Sequence, residues 1–137
     1  MRIGIVGGTG GMGEGFALRW CFGHDIVIGS RDEQRAKEAA NKYKITAQEA
    51  YGNSMTGSIT GQDNFSLAQS SDVLILSIPY ENTIDTCNRI AKEVSNNCVI
   101  VSPIVPMTRT DSGFIYVPLE QNQKPAAEIV ADILAPS

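Results

Sequence analysis

Gly8, Gly10 and Gly13 carry the spacing G-x-G-x-x-G within Gly7-Gly8-Thr9-Gly10-Gly11-Met12-Gly13. Each glycine has its own physical task in a dinucleotide-binding turn. The first permits a tight turn, the second lets the backbone approach a pyrophosphate, and the third lets helix and strand pack closely. Free N–H groups at the start of the following helix then face the phosphates. A glycine-rich turn without a ligand is the bland alternative. A strand before the glycines and a helix after them favour the dinucleotide reading. Gly8 and Gly13 also fit the outer glycines of a P-loop, but the next residues are Glu14 and Gly15 rather than Lys and Ser or Thr. A carboxylate there would repel the phosphates that a lysine should neutralise, so the P-loop is rejected.

A second group stands at Gly29-Ser30-Arg31. An NAD site commonly ends its second strand in Asp or Glu, which accepts from the ribose hydroxyls. Here a small hydroxyl and a guanidinium occupy that place, with Arg35 one helical turn beyond Arg31. Ser30, Arg31 and Arg35 suit a 2′-phosphate, and NADP is favoured over NAD. Asp32 is an alternative ribose acid, although a helix-start carboxylate is its plainer reading. A solvated helix face is the bland reading of the two arginines.

Strands and helices must alternate to position these groups. Arg2–Val6 and 25–29 are short apolar runs that suit buried strands, and 72–78 (D-V-L-I-L-S-I) is the clearest strand, closed by Pro79. Met12, Phe16, Ala17, Trp20 and Cys21 recur at helical spacing, predicting a helix over 11–22. Residues 31–44 are good helix formers. Residues 45–64 are polar and glycine-dotted, with a weak strand at 57–60, before a short helix at 65–70. Helix is expected over 81–94, strand over 98–101, an ordered loop around Pro103 and Pro106, an edge strand at 114–117, and an amphipathic helix over 126–134. Such alternation predicts one α/β domain, a doubly wound parallel sheet of the Rossmann type.

Composition narrows the partners. The 137 residues carry 11 Lys+Arg against 15 Asp+Glu, a net charge of −4, which argues against a nucleic-acid binder. The first 50 residues are net +1 and the remainder net −5, so an anionic small ligand favours the first third. No apolar run is long enough to span a membrane. Cys21, Cys87 and Cys98 are odd in number and lack CxxC spacing, so neither disulfide framework nor zinc site is readable and a reducing cytoplasm is expected.

Nearly the whole chain resembles the NADPH-dependent reductases of the deazaflavin coenzyme F420. The similarity runs through the glycine loop, Gly23-His24-Asp25-Ile26-Val27-Ile28-Gly29-Ser30-Arg31, Ile78-Pro79-Tyr80-Glu81, Ile84-Asp85-Thr86, Val101-Ser102-Pro103-Ile104-Val105-Pro106 and Ala126-Ala127-Glu128-Ile129-Val130. The resemblance implies that Thr9, Gly10, Gly11 and Met12 hold the pyrophosphate, and that Ser30, Arg31 and Arg35 hold the 2′-phosphate. It implies that Ser77, Pro79, Tyr80 and Ile84 line the cofactor. Two departures stand out. The segment 53–61 looks longer than its family counterpart. The family also continues beyond this C-terminus into a further strand and a small helical domain that builds much of the deazaflavin pocket and the dimer contact. The chain therefore reads as the dinucleotide-binding domain over 1–137, with NADP(H) as cofactor and coenzyme F420 as co-substrate.

The remaining candidates have plain readings. His24 belongs to a turn at the sheet edge opposite the ligand end. The three cysteines read as core. Glu81 and Asp85 read as an exposed helix start rather than an acid–base pair, and no catalytic side chain is assigned. Direct hydride transfer needs none. A related reductase of a small imine or 2-hydroxy acid, such as a pyrroline-5-carboxylate reductase, is the enzymatic alternative, and a non-catalytic NADPH-binding module is the alternative from another class. A homodimer is left open, because the helix at 126–134 would expose an apolar stripe if later neighbours were absent.

Overall fold

The computed structural model describes residues 1–119 and 123–135; the C-terminal Pro136 and Ser137 lie outside them. Strands β1 (Arg2–Val6), β2 (Asp25–Ser30), β3 (Ser58–Asp63), β4 (Val73–Leu76) and β5 (Val99–Val101) form one parallel sheet in the order β3-β2-β1-β4-β5. Helices α1 (Gly11–Trp20), α2 (Glu33–Tyr51), α3 (Asn64–Ser70), α4 (Thr83–Ile90) and α5 (Ala126–Leu134) provide the cover.

Strand periodicity divides the core in two. Ile3, Ile5, Ile26, Ile28 and Ile75 pack with Ala17 and Cys21 of α1 and with Ala40, Tyr43 and Ala47 of α2. Val6, Val27, Leu74 and Leu76 pack on the other side with Leu67 of α3, Cys87 and Ile90 of α4, and Val130 and Leu134 of α5. Both faces of the sheet are thus buried, which is why its strands are continuously apolar. The doubly wound reading holds.

Several boundaries differ from expectation. Helix α2 runs on to Tyr51 rather than stopping near Lys44. Ala36, Ala40, Tyr43 and Ala47 make one buried stripe at intervals of three and four residues, so packing carries the helix through a polar stretch. β3 extends to Asp63 because it pairs with β2 along its whole length, from Asp25 opposite Ser58 to Ser30 opposite Asp63. The helix expected at 81–94 is divided into a single tight turn at Tyr80–Asn82 and the shorter α4. The expected edge strand at 114–117 is instead β7 (Gly113–Tyr116), paired antiparallel with β6 (Met107–Thr110) in a separate hairpin. Gly113, at φ +124°, supplies the turn conformation that joins them.

The stripe on α5 is also not left bare. Ala126, Val130 and Leu134 are buried, and Val130 and Leu134 join Cys87 and Ile90 of α4 in one cluster. Self-association through that stripe loses its basis. Among the described residues no helix is long and apolar enough to cross a membrane.

Candidate functional site

Strand β1 pairs with β2 on one side and β4 on the other, so the chain's winding reverses at β1. Crevices open at the carboxyl ends of strands at such a switch point. A cleft of about 240 Å³ lies there, walled by Gly7 and Thr9 after β1, by Ser30, Arg31, Asp32 and Arg35 after β2, and by Ser77, Ile78 and Pro79 after β4.

The glycine loop forms its floor. The left-handed turn falls on Gly7, at φ +68°, not on Gly8 as the motif reading expects. Gly8 is required for space: a Cβ there would come within 2.9 Å of the Ile5 carbonyl oxygen. The Gly8 N–H faces the Ile5 carbonyl at 3.1 Å and the Gly29 carbonyl at 2.9 Å, which ties the loop to both neighbouring strands. A Cβ at Gly13 would overlap the Gly8 backbone, and this close approach seats α1 against the loop, as the third glycine of the motif requires. Gly10 and Gly11 behave differently. A Cβ on either would meet nothing within 4 Å.

Gly10 is also the N-cap of α1, in an extended conformation, and no side chain caps the helix. The first N–H groups of a helix have no partner within it, so those of Gly11, Met12 and Gly13 are left for a ligand. Met12 is exposed beside them. An uncapped helix start above an open glycine backbone fits a pyrophosphate.

The end of β2 adds further polar groups to the cleft. Ser30 is buried, and its hydroxyl oxygen accepts from the Asp32 N–H at 3.2 Å. That leaves the hydroxyl hydrogen free to donate. The Asp32 carboxylate accepts from the Gln34 and Arg35 N–H groups at 2.9 and 3.3 Å, making it the N-cap of α2, as its plainer reading holds. The strand itself ends in Ser30 rather than an acid, and Asp32 Oδ1 is committed to the start of α2. Arg31 and Arg35 are exposed and have no ion pair among the described residues.

The structure therefore gathers Thr9, Ser30, Arg31, Arg35, Ser77 and Pro79 into one cleft, with Gly8 and Gly13 packed beneath it and Gly10, Gly11 and Met12 at the helix start. Tyr80 and Ile84 do not line it: Tyr80 is half-buried in its turn and Ile84 is 56% exposed. The cleft also includes Asn64 and Asn82, which the sequence reading does not single out, and Asp85 and Thr86, to which it gives no cofactor role. Asn64 directly follows the β3 end opposite Ser30, and that register was the signal available for it. Asp85 pairs with Arg89 at 2.9 Å on the exposed surface of α4, so Glu81 and Asp85 form no acid–base pair. A second, more apolar cleft of about 340 Å³ shares Ser30, Arg31, Asn64 and Thr86 and continues to Phe65, Arg89 and Ile90.

The fold resembles that of NAD-linked dehydrogenases. Lactate dehydrogenase from Cryptosporidium parvum, in complex with lactic acid and nicotinamide adenine dinucleotide, superposes with a TM-score of 0.69 at 16% identity, covering 98% of this chain and 42% of that one. Malate dehydrogenase from Archaeoglobus fulgidus, in complex with NADH, gives 0.62 at 19% identity, over 78% of this chain and 41% of that one. These likenesses establish the fold alone.

Sequence similarity is more specific. The F420-dependent NADP reductase of Methanocaldococcus jannaschii is 39% identical over 107 residues, 78% of this chain and 46% of that protein. Its namesake from Methanothermobacter thermautotrophicus is 33% identical over 136 residues, 98% of this chain and 56% of that protein. The chain thus spans about half the length of the curated relatives it matches. Residues 2–106 match the family model described as NADP oxidoreductase, coenzyme F420-dependent, and the chain belongs to that family.

Proposed function

We propose that residues 1–137 are the dinucleotide-binding domain of an oxidoreductase that moves a hydride between NADP(H) and the deazaflavin coenzyme F420. The observation that carries this reading is the end of β2. Ser30 and Arg31 line the cleft where a strand-end acid would otherwise stand, and Asp32 beyond them caps α2 through Oδ1. That arrangement favours a 2′-phosphate over a bare ribose diol. The names of the relatives supply the second substrate.

When bound, the nicotinamide ring supplies the hydride chemistry. The chain's own work is positioning. Gly10, Gly11 and Met12 offer backbone donors to the pyrophosphate. Ser30, Arg31 and Arg35 hold the phosphorylated ribose. Ser77 and Pro79, beyond β4, direct the remainder of the cofactor along the switch point. Its two ends fixed, the cofactor is held in one orientation toward its acceptor, and such alignment contributes about 7–11 kcal/mol in well-oriented reactions. A cytoplasmic setting and small-molecule rather than nucleic-acid partners are part of the same reading. Support comes from three free cysteines and a net charge of −4.

The test is to mix the protein with NADPH and oxidised deazaflavin coenzyme and follow the coenzyme's visible absorption. A longer protein, extended through the family's helical domain, is run beside this chain. The extended protein is expected to turn over with NADPH and far more slowly with NADH. Turnover with a small imine or 2-hydroxy acid, and none with the deazaflavin, would replace this reading with the alternative reductase.

A further inference from the structure

Asn64 lies where the two clefts meet, lining both together with Ser30 and Arg31. Its position follows from strand register. Ser30 pairs with Asp63, so the next residue of the chain stands beside the end of β2. The side chain reaches across Gly29 toward β1: a Cβ on Gly29 would lie only 2.5 Å from Asn64 Oδ1. Glycine at 29 is what makes room for this amide.

The hydrogen bonding of that amide is one-sided. Oδ1 accepts from the Gly7 N–H at 3.3 Å, which commits the oxygen to the glycine turn. Nδ2 donates to none of the described residues, and it is not enclosed. An amide carries two N–H donors on that nitrogen. They are therefore available on the cleft side while the oxygen is held on the loop side.

The neighbouring groups complete a pattern. Ser30 retains a free hydroxyl hydrogen because its oxygen accepts from the Asp32 N–H. Arg31 adds a guanidinium. The two adjacent carboxylates each make capping bonds. Asp32 caps α2. Asp63 accepts from the Ser66 hydroxyl at 2.6 Å and from the Phe65 and Ser66 N–H groups, both at 2.9 Å. The surroundings of Asn64 thus offer donors, while Asp63 and one oxygen of Asp32 are held by helix starts. A multiply charged oxyanion needs that imbalance.

We propose that Asn64 is a specificity-determining residue for the phosphorylated ribose, its Nδ2 donating to the 2′-phosphate beside Ser30 and Arg31 while its Oδ1 steadies the glycine turn. The proposal rests on the NADP(H) reading above and adds a residue to that site.

Two variants separate these tasks. Asn64→Asp keeps an acceptor for the Gly7 N–H but replaces the donor with a carboxylate oxygen. Asn64→Ala removes both. NADPH and NADH binding are measured by titration, with circular dichroism and thermal melting as folding controls. Asn64→Asp is expected to melt near the unmutated protein and to weaken NADPH by about tenfold or more, with a much smaller effect on NADH. Asn64→Ala is expected to weaken both cofactors, because the turn is also loosened. Unchanged NADPH binding by a folded Asn64→Asp variant would overturn the proposal, leaving Asn64 as a tether for the loop. Equal losses for NADPH and NADH in that variant would overturn it too. If the unmutated protein shows no preference for NADPH, the NADP(H) reading itself fails and takes this role with it.

Discussion

The Tyr43 hydroxyl, buried under α2, donates to the carbonyl oxygen of Gly8 at 3.3 Å. That one bond links the middle of a long helix to the glycine turn. Opposite it, Asn64 Oδ1 accepts from the Gly7 N–H. The turn is therefore gripped from both faces of the sheet, by side chains more than thirty residues away in sequence. Burial pushes the Tyr43 phenol up, and the charge of Glu14 adds to this, so the hydroxyl keeps its proton and stays a donor.

Tyr43→Phe should leave the Gly8 carbonyl without this donor while keeping the ring in the core. A lost buried hydrogen bond costs about 1 kcal/mol. Chemical denaturation is expected to show a loss of that size. NADPH affinity should fall severalfold, with the NADPH-to-NADH ratio unchanged, because the whole turn is loosened rather than one end of the cofactor.

The cofactor's phosphorylated end should depend on Arg31. A charge-assisted hydrogen bond contributes about 1.5–3 kcal/mol, so Arg31→Ala should weaken NADPH roughly tenfold to a hundredfold. NADH should bind as before. Arg31 is exposed, and the melting temperature should not move. Isothermal titration of both cofactors checks the expectation.

Two glycines of the motif should respond in opposite ways to the same substitution. A Cβ at Gly10 meets no atom within 4 Å, and its backbone, at φ −97° and ψ 176°, is open to any residue. Gly10→Val should fold normally and lose NADPH, because the branched side chain fills the space above the helix start. At Gly13 a Cβ would overlap the Gly8 carbonyl. Gly13→Val should force α1 off the turn and lower the melting temperature markedly. Circular dichroism with cofactor titration distinguishes the two.

Burial pushes the Cys87 thiol from 9.0 up to about 11. The folded protein thus holds a proton that the unfolded chain releases above pH 9. Stability from this group is fully present below pH 9 and is lost as pH rises toward 11. The loss should be on the order of 2–3 kcal/mol. Melting curves from pH 8 to 11 should show a smaller decline in Cys87→Ala than in the unmutated protein. Below pH 9 the native thiol should also resist alkylation.

The parallel sheet was legible because its strands are buried on both faces: Arg2–Val6 and the run from Asp72 stand out as apolar segments. Ser30, Arg31 and Arg35 were readable because local spacing alone puts them at the strand end. What escaped depends on contacts distant in sequence. The second half of α2 mixes apolar and polar residues ahead of a glycine-dotted stretch, and Tyr43 and Ala47 packed in the core mark its continuation. β6 has no apolar pattern of its own and exists because β7 pairs with it. Asn64 joins the site through the register of β3 on β2, a relationship that a linear reading does not contain. The motif spacing places the turn on Gly8, whereas the positive φ falls on its neighbour Gly7, because consecutive glycines leave the chain free to turn at either one.

The direct measurement is the dissociation constant of the unmutated protein for NADPH and for NADH, under one buffer and salt concentration. Ser30 and Arg31 beside a capping Asp32 should make NADPH the tighter ligand by at least about tenfold, and raising the salt should narrow the gap. Equal affinities, or tighter binding of NADH, would contradict the assignment of the β2 end as a 2′-phosphate site.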